Sequence, residues 1–160
     1  MTKRLEYEPY HVHSSYSNCL TQPDSTMSID DYAKEFRKRG HHVLCLSEHG
    51  NRSNVYKQFE LAQKYSDDEY RMTPLAAAEV YYVPDRNPEL KDDRHFHLIL
   101  IAKNQEGLHQ LNRAISEANM TGFYRYARVD LEILSHLDPR NFICTTACVG
   151  GIMKDAKYEE

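Results

Sequence analysis

Two histidines one residue apart, His11-Val12-His13, are the first residues in this chain whose types and spacing could do chemistry. Successive side chains alternate faces on an extended segment, so imidazoles at i and i+2 point the same way and can grip one cation between them. Farther along, His49 closes the run Leu44-Cys45-Leu46-Ser47-Glu48-His49, where it either ends a strand or caps a helix as a plain polar residue, or acts as a ligand. Glu79 sits in Ala76-Ala77-Ala78-Glu79-Val80, and a carboxylate inside an apolar strand has to be paired, protonated or bound to a metal. Cys148 follows the last apolar run and reads either as a small buried hydrophobe or as a thiolate ligand. Its neighbour Cys144 is read as core. His41, His42, His109 and His136 lie beside charges or on helix surfaces and are set aside.

The elements that must position these residues alternate between strand-length apolar runs and segments of helical period, the pattern of βαβ units around a parallel sheet. Strands are expected over residues 9–13, 42–47, 75–83, 96–102 and 141–147. Helices are expected from Ser28, with Asp31 completing a capping box and Gly40 ending the helix, and over residues 54–65, 105–120 and 130–137. In the second helix Tyr56, Phe59 and Ala62 are expected to face inward, and residues 84–94 to form a charged surface loop. In such a sheet function collects where strands end, which selects His11, His13, Glu48, His49, Glu79 and Cys148; His95 and His97 stand at the start of the fourth strand and fit the rule less well.

With 160 residues the chain is about one domain, large enough to bury a core without staples. Four cysteines in or beside apolar runs, and an N-terminus without the apolar segment of a secretion signal, point to a reducing, cytoplasmic setting. No stretch approaches the roughly 18 apolar residues of a membrane helix. A net charge of −4 excludes a strongly basic DNA-coating protein, so any contact with phosphates must be local or metal-mediated.

Six segments occur in order: H-V-H-S-S-Y-S, L-S-E-H-G, A-A-E-V-Y, H-L-I-L-I-A-K-N-x-x-G-x-x-x-L, G-F-Y-R-Y-A-R-V-D and T-A-C-V-G-G. Together, from His11 to Gly151, they resemble the PHP (polymerase and histidinol phosphatase) domain, in the version found at the N-terminus of bacterial replicative DNA polymerase III alpha subunits and their phage relatives. The resemblance implies an α/β fold, a distorted β/α barrel of mainly parallel strands, around a cleft holding two or three zinc, manganese or iron ions. It implies His11, His13, His49, Glu79, His97 and Cys148 as ligands, with Glu79 bridging and Glu79 and His13 serving catalysis. In some members the activity is a metal-dependent phosphoesterase or 3′→5′ exonuclease, in which paired metals clamp a phosphodiester and activate water. DNA, as a 3′ end or single strand, and the remaining polymerase domains or a second chain are the implied partners. Arg125 and Arg128, set among Phe123, Tyr124 and Tyr126, offer phosphate forks and a stacking face, or else pack that loop onto the barrel.

Departures from the family pattern matter too. Leu20 stands where the first motif carries an aspartate, and Asp24 can substitute only if the loop is rebuilt. Glu48 replaces an aspartate, Ala77 a glycine, and no D-x-H motif occurs before Glu160. The expectation is therefore a single domain over residues 1–160 that lacks the C-terminal part of the family's barrel, with an open edge and a site that other residues complete. Three functions compete: a polymerase module with phosphoesterase or exonuclease chemistry, an inactive structural or partner-binding scaffold, and a small-molecule phosphoesterase of the histidinol-phosphatase kind.

Overall fold

A computed structural model describes residues 7–18, 23–91 and 94–155; Cys19, Leu20 and the stretch from 156 onward lie outside the described residues. Helix α1 (Ile29–Arg39) starts on the expected capping box: Asp31 N donates to Ser28 Oγ at 3.2 Å and Ser28 N to Asp31 Oδ2 at 3.3 Å. It ends at Gly40, whose φ of 77° is the left-handed conformation that glycine enters without a Cβ penalty. Strand β1 (Val43–Leu46) leads to α2 (Val55–Lys64) and β2 (Thr73–Tyr82), then to β3 (Phe96–Ala102), α3 (Gln105–Thr121), β4 (Arg128–Val129), α4 (Leu131–Ser135) and β5 (Phe142–Thr145). Among the described residues no helix is long and apolar enough to cross a membrane.

The expected inner face of α2 is corrected in part. Ala62 is buried as expected, but Tyr56 and Phe59 are 80% and 44% exposed, and Gln58 and Leu61 are buried in their place. Gln58 earns its place through hydrogen bonds: its amide donates to Leu44 O at 2.9 Å and Leu75 O at 2.6 Å, and its oxygen accepts from Leu46 N at 3.2 Å. A buried amide fully matched to strand backbone outcompetes a tyrosine that would strand its hydroxyl.

The sheet is not mainly parallel. Its order is β1-β2-β3-β5, with β4 also pairing β2; β1 and β4 run parallel to β2, whereas the β2–β3 pairing, the longest, and the β3–β5 pairing are antiparallel. The reason lies in the connection from β2 to β3, which holds two prolines and no α-helix: a loop of that kind returns the chain antiparallel, while a parallel neighbour needs a crossover. Residues 9–13 likewise form no ladder, and they meet the end of β1 through Ser47 N donating to Val12 O at 2.9 Å.

Alternation along β2 separates two faces. Ala78 and Val80, with Leu98 and Leu100 of β3, pack under α3 and α4, while Leu44 and Leu46 of β1 pack under α1 and α2. Ala77, Glu79 and Tyr81 project to the opposite face with His97, Ile99 and Ile101. Cys45, Ala77, Ile99 and Ile101 make a small apolar floor there, and on it Glu79 is fully buried.

Candidate metal centre

Everything at the site converges on Glu79. Past the end of β1 the chain keeps following β2, with Glu79 N donating to Glu48 O at 3.0 Å and Gly50 N to Glu79 O at 2.8 Å, so His49 is laid directly beside Glu79. On one carboxylate oxygen, Oε2, His11 Nε2 lies at 2.8 Å and His13 Nε2 at 3.0 Å. On the other, Oε1, His49 Nδ1 lies at 3.9 Å, and His97 Nδ1 is within ion-pairing distance. Cys148 Sγ is 3.7 Å from His97 Nδ1. The donors thus fall into two groups, His11–His13–Glu79 and Glu79–His97–Cys148, each able to hold an ion and each using a different oxygen of one shared carboxylate.

Two observations show that these residues fit metal. Among the described residues His49 Nδ1 is buried without a hydrogen-bond partner and faces Glu79 Oε1 together with His97, a packing of donors that a cation between them relieves. The protonation states agree. Burial pushes the Glu79 carboxyl up, but His11, His13 and His97 outweigh burial and hold it well below the usual carboxylate range. Burial, reinforced by His13, keeps His49 below its ordinary value against the pull of Glu79 and Asp24, which favours the neutral imidazole that ligates.

The loop carrying His11 and His13 is held by Glu48, which is fully buried and accepts from Ser14 N at 3.1 Å, Asn54 Nδ2 at 3.0 Å, and the hydroxyls of Ser14 and Ser17. Ser17 has one proton and spends it on Glu48, so toward His49 N (3.1 Å) and His13 Nδ1 (3.0 Å) it can only accept. His13 therefore carries its proton on Nδ1 and presents the Nε2 lone pair to the cluster. Ser17→Ala is expected to weaken metal binding by about 10–100-fold while leaving the fold intact, measured by zinc competition against a chromophoric chelator. Unchanged affinity would show that the tautomer is set elsewhere.

Cys148 reaches His97 because residues 146–151 curl back. Gly151 N donates to Cys148 O at 2.8 Å, Gly150 N to Cys148 Sγ at 3.3 Å, and His97 N to Gly150 O at 2.9 Å. A Cβ on Gly151 would lie 1.7 Å from Thr146 O, so only glycine permits this approach.

His11, His13, His49, Glu79, His97 and Cys148 are thus brought together. Arg128 is not: it is 1% exposed, with Nε donating to Gly122 O at 2.9 Å and Nη2 to Arg86 O at 3.0 Å, which are the contacts of a packing residue. Arg125 stays exposed at the tip of its turn. Cys148 is exposed and not a buried hydrophobe, and Cys144, expected in the core, is exposed on β5, because that strand has no described neighbour beyond β3. Residue spacing did not identify Ser14, Ser17 and Asn54 as supports; the nearest signal was the serine-rich stretch after His13. Asp24 does arrive, with Oδ2 3.5 Å from His49 Nε2. Asn18 rebuilds the loop, its Oδ1 accepting from Asp24 N at 2.8 Å and Ser25 N at 3.0 Å and its Nδ2 donating to Ser25 O at 2.8 Å.

The family model for the PHP domain matches residues 9–160. The DNA polymerase III subunit alpha of Chlamydia muridarum (strain MoPn / Nigg) is 30% identical over 159 residues, covering 97% of this chain and 12% of that protein. The subunit of the same name from Borreliella burgdorferi is 30% identical over 157 residues (96% of this chain, 13% of that protein), and that of Aquifex aeolicus is 28% identical over 151 residues (89% and 12%). The chain therefore spans about an eighth of the length of these relatives. With a family match across nearly the whole chain and metal-ligand types gathered on one carboxylate, this protein belongs to the PHP domain family.

Proposed function

We propose that this chain is the PHP module of a DNA polymerase III alpha-type replicative polymerase and that its cluster is a metal-dependent phosphoesterase site of the 3′→5′ exonuclease kind. The observation that carries this reading is the division of one buried carboxylate, Glu79, between two donor groups. His11, His13 and Glu79 would hold one ion, and Glu79, His97 and Cys148 a second, with His49 and Asp24 beside them as further donors. Mixed imidazole, carboxylate and thiolate ligands suit zinc, manganese or iron. Such a pair supplies Lewis-acid charge on a phosphodiester and activated water. Glu79 and His13 stand nearest that chemistry, the former by joining both groups and the latter by presenting a lone pair that Ser17 fixes.

In this reading residues 1–160 fold as a single domain, a distorted β/α barrel, and the outer edge of β5 is a face for the remaining polymerase domains or a second chain. DNA, through a 3′ end or single strand, is the substrate, and the setting is the cytoplasm. Leu20 in the place of an acidic ligand and the inward-turned Arg128 favour a second reading, in which the same module is a structural scaffold for its polymerase.

Single-stranded DNA labelled at its 5′ end, incubated with the manganese-loaded protein, separates the two readings. Stepwise shortening from the 3′ end that disappears in Glu79→Gln is the expected result. Intact DNA beside a fully metallated protein would leave the scaffold reading, and turnover of a small phosphate monoester with no action on DNA would point to a small-molecule phosphoesterase.

A further inference from the structure

Beside the cluster, on the same face of the sheet, lies a set of rings for which metal binding gives no role. Tyr81 is two residues beyond Glu79 on β2 and projects to the same side. Its ring meets His97 edge-on with centroids 5.2 Å apart, His95 edge-on at 4.8 Å, and Tyr126 at a tilt at 4.7 Å. His95 stacks on His97 at 5.4 Å with planes 9° apart, and meets Tyr126 at 5.1 Å. Tyr81 is buried, but His95 and Tyr126 are partly exposed, so the set has a solid back and an open front.

The segment presenting Tyr126 is built tightly. Tyr124 N donates to Tyr126 O at 3.0 Å, which forces Arg125 between them to a φ of 61°. A non-glycine residue in the left-handed region is uncommon and persists where the surroundings demand it, often at binding sites. Here the turn fixes Tyr126 against His95 and sets Arg125 at an exposed tip, with its guanidinium 5.6 Å from the centroid of the Tyr124 ring.

Resting on the phosphoesterase reading above, we propose that His95 and Tyr126, backed by Tyr81, form a stacking subsite for the terminal nucleobase of a single strand, with Arg125 beside its backbone. His97 belongs both to the metal donors and to this ring set, so a base seated on His95 and Tyr126 lies one ring away from the cluster that would receive the linked phosphate. Rings offer every base a π-face, so the subsite binds without reading sequence. A local cation is what a chain of net charge −4 needs to hold a polyanion. The subsite makes the protein prefer nucleic acid ends over small phosphate esters.

The test compares oligonucleotides that share every phosphodiester but end in either a normal nucleotide or an abasic residue, with the metal-loaded protein and its Tyr126→Ala and Tyr126→Phe variants. The expected result is a KM about tenfold lower for the based end in the wild type and in Tyr126→Phe. In Tyr126→Ala that advantage disappears while metal content is retained. Equal KM values for the two ends in the wild type, or an equal loss on both in Tyr126→Ala, would overturn the subsite. Where neither end is cut, the phosphoesterase reading fails and the subsite is decided by binding. Quenching of a 3′-terminal 2-aminopurine by the wild type that is lost in Tyr126→Ala supports it, and no quenching by the wild type overturns it.

Discussion

Glu79→Gln is expected to strip metal from the protein: if Glu79 serves both donor groups, metal content after dialysis falls from two equivalents to a trace, whether zinc or manganese is used. A partner that merely orients a ligand is worth about 10–100-fold in affinity, so a carboxylate shared by both ions costs more than that. Glutamine matches glutamate in shape, and the backbone hydrogen bonds of residue 79 to Glu48 and Gly50 do not involve its side chain, so the sheet persists. His109→Ala is the control, since His109 is exposed on α3, where it bonds Gln105 at 2.9 Å. Equal metal loss from the two variants, read by elemental analysis, would refute the assignment of Glu79.

The second large effect divides the cluster. Replacing His97 with alanine and Cys148 with serine together removes two of the three donors in one group and none of His11, His13 or Glu79 in the other. Metal content is expected to fall from two equivalents to one. The remaining ion is the one that His11, His13 and Glu79 would hold. Loss of both ions would mean that the groups do not bind separately, and retention of both would remove Cys148 and His97 from the ligand set.

Much of this arrangement was legible from residue types. The capping box at Ser28 and Asp31, the apolar period of α3 and the strand character around Glu79 follow local rules, and the structure obeys them. The sheet's direction did not follow, because apolar runs alternate with helical ones in parallel and mixed sheets alike. Strand direction is decided by the connection, and the described residues between β2 and β3 return the chain without an α-helix. The face of α2 was misjudged for a related reason: Gln58 is polar in composition but is consumed by strand backbone, which no periodicity reveals. At the site, the spacing of His11 and His13 announced itself, yet both reach Glu79 from an irregular segment and not from a strand. What makes that possible is Glu48, a carboxylate that looked like one more ligand beside His49 and instead gathers the serines that hold the loop. Asp24 shows the same limit, since it stands beside His49 while its backbone is bonded to the side chain of Asn18, a contact no spacing reveals.

The central claim is that one buried carboxylate joins two metal ions, and electron paramagnetic resonance of the manganese-loaded protein tests it most directly. At two equivalents, ions bridged by Glu79 give the broad, exchange-coupled spectrum of a manganese pair, and that spectrum is absent from Glu79→Gln. An isolated six-line signal at every loading, rising in proportion to bound manganese, would contradict a shared carboxylate and leave two independent sites or one.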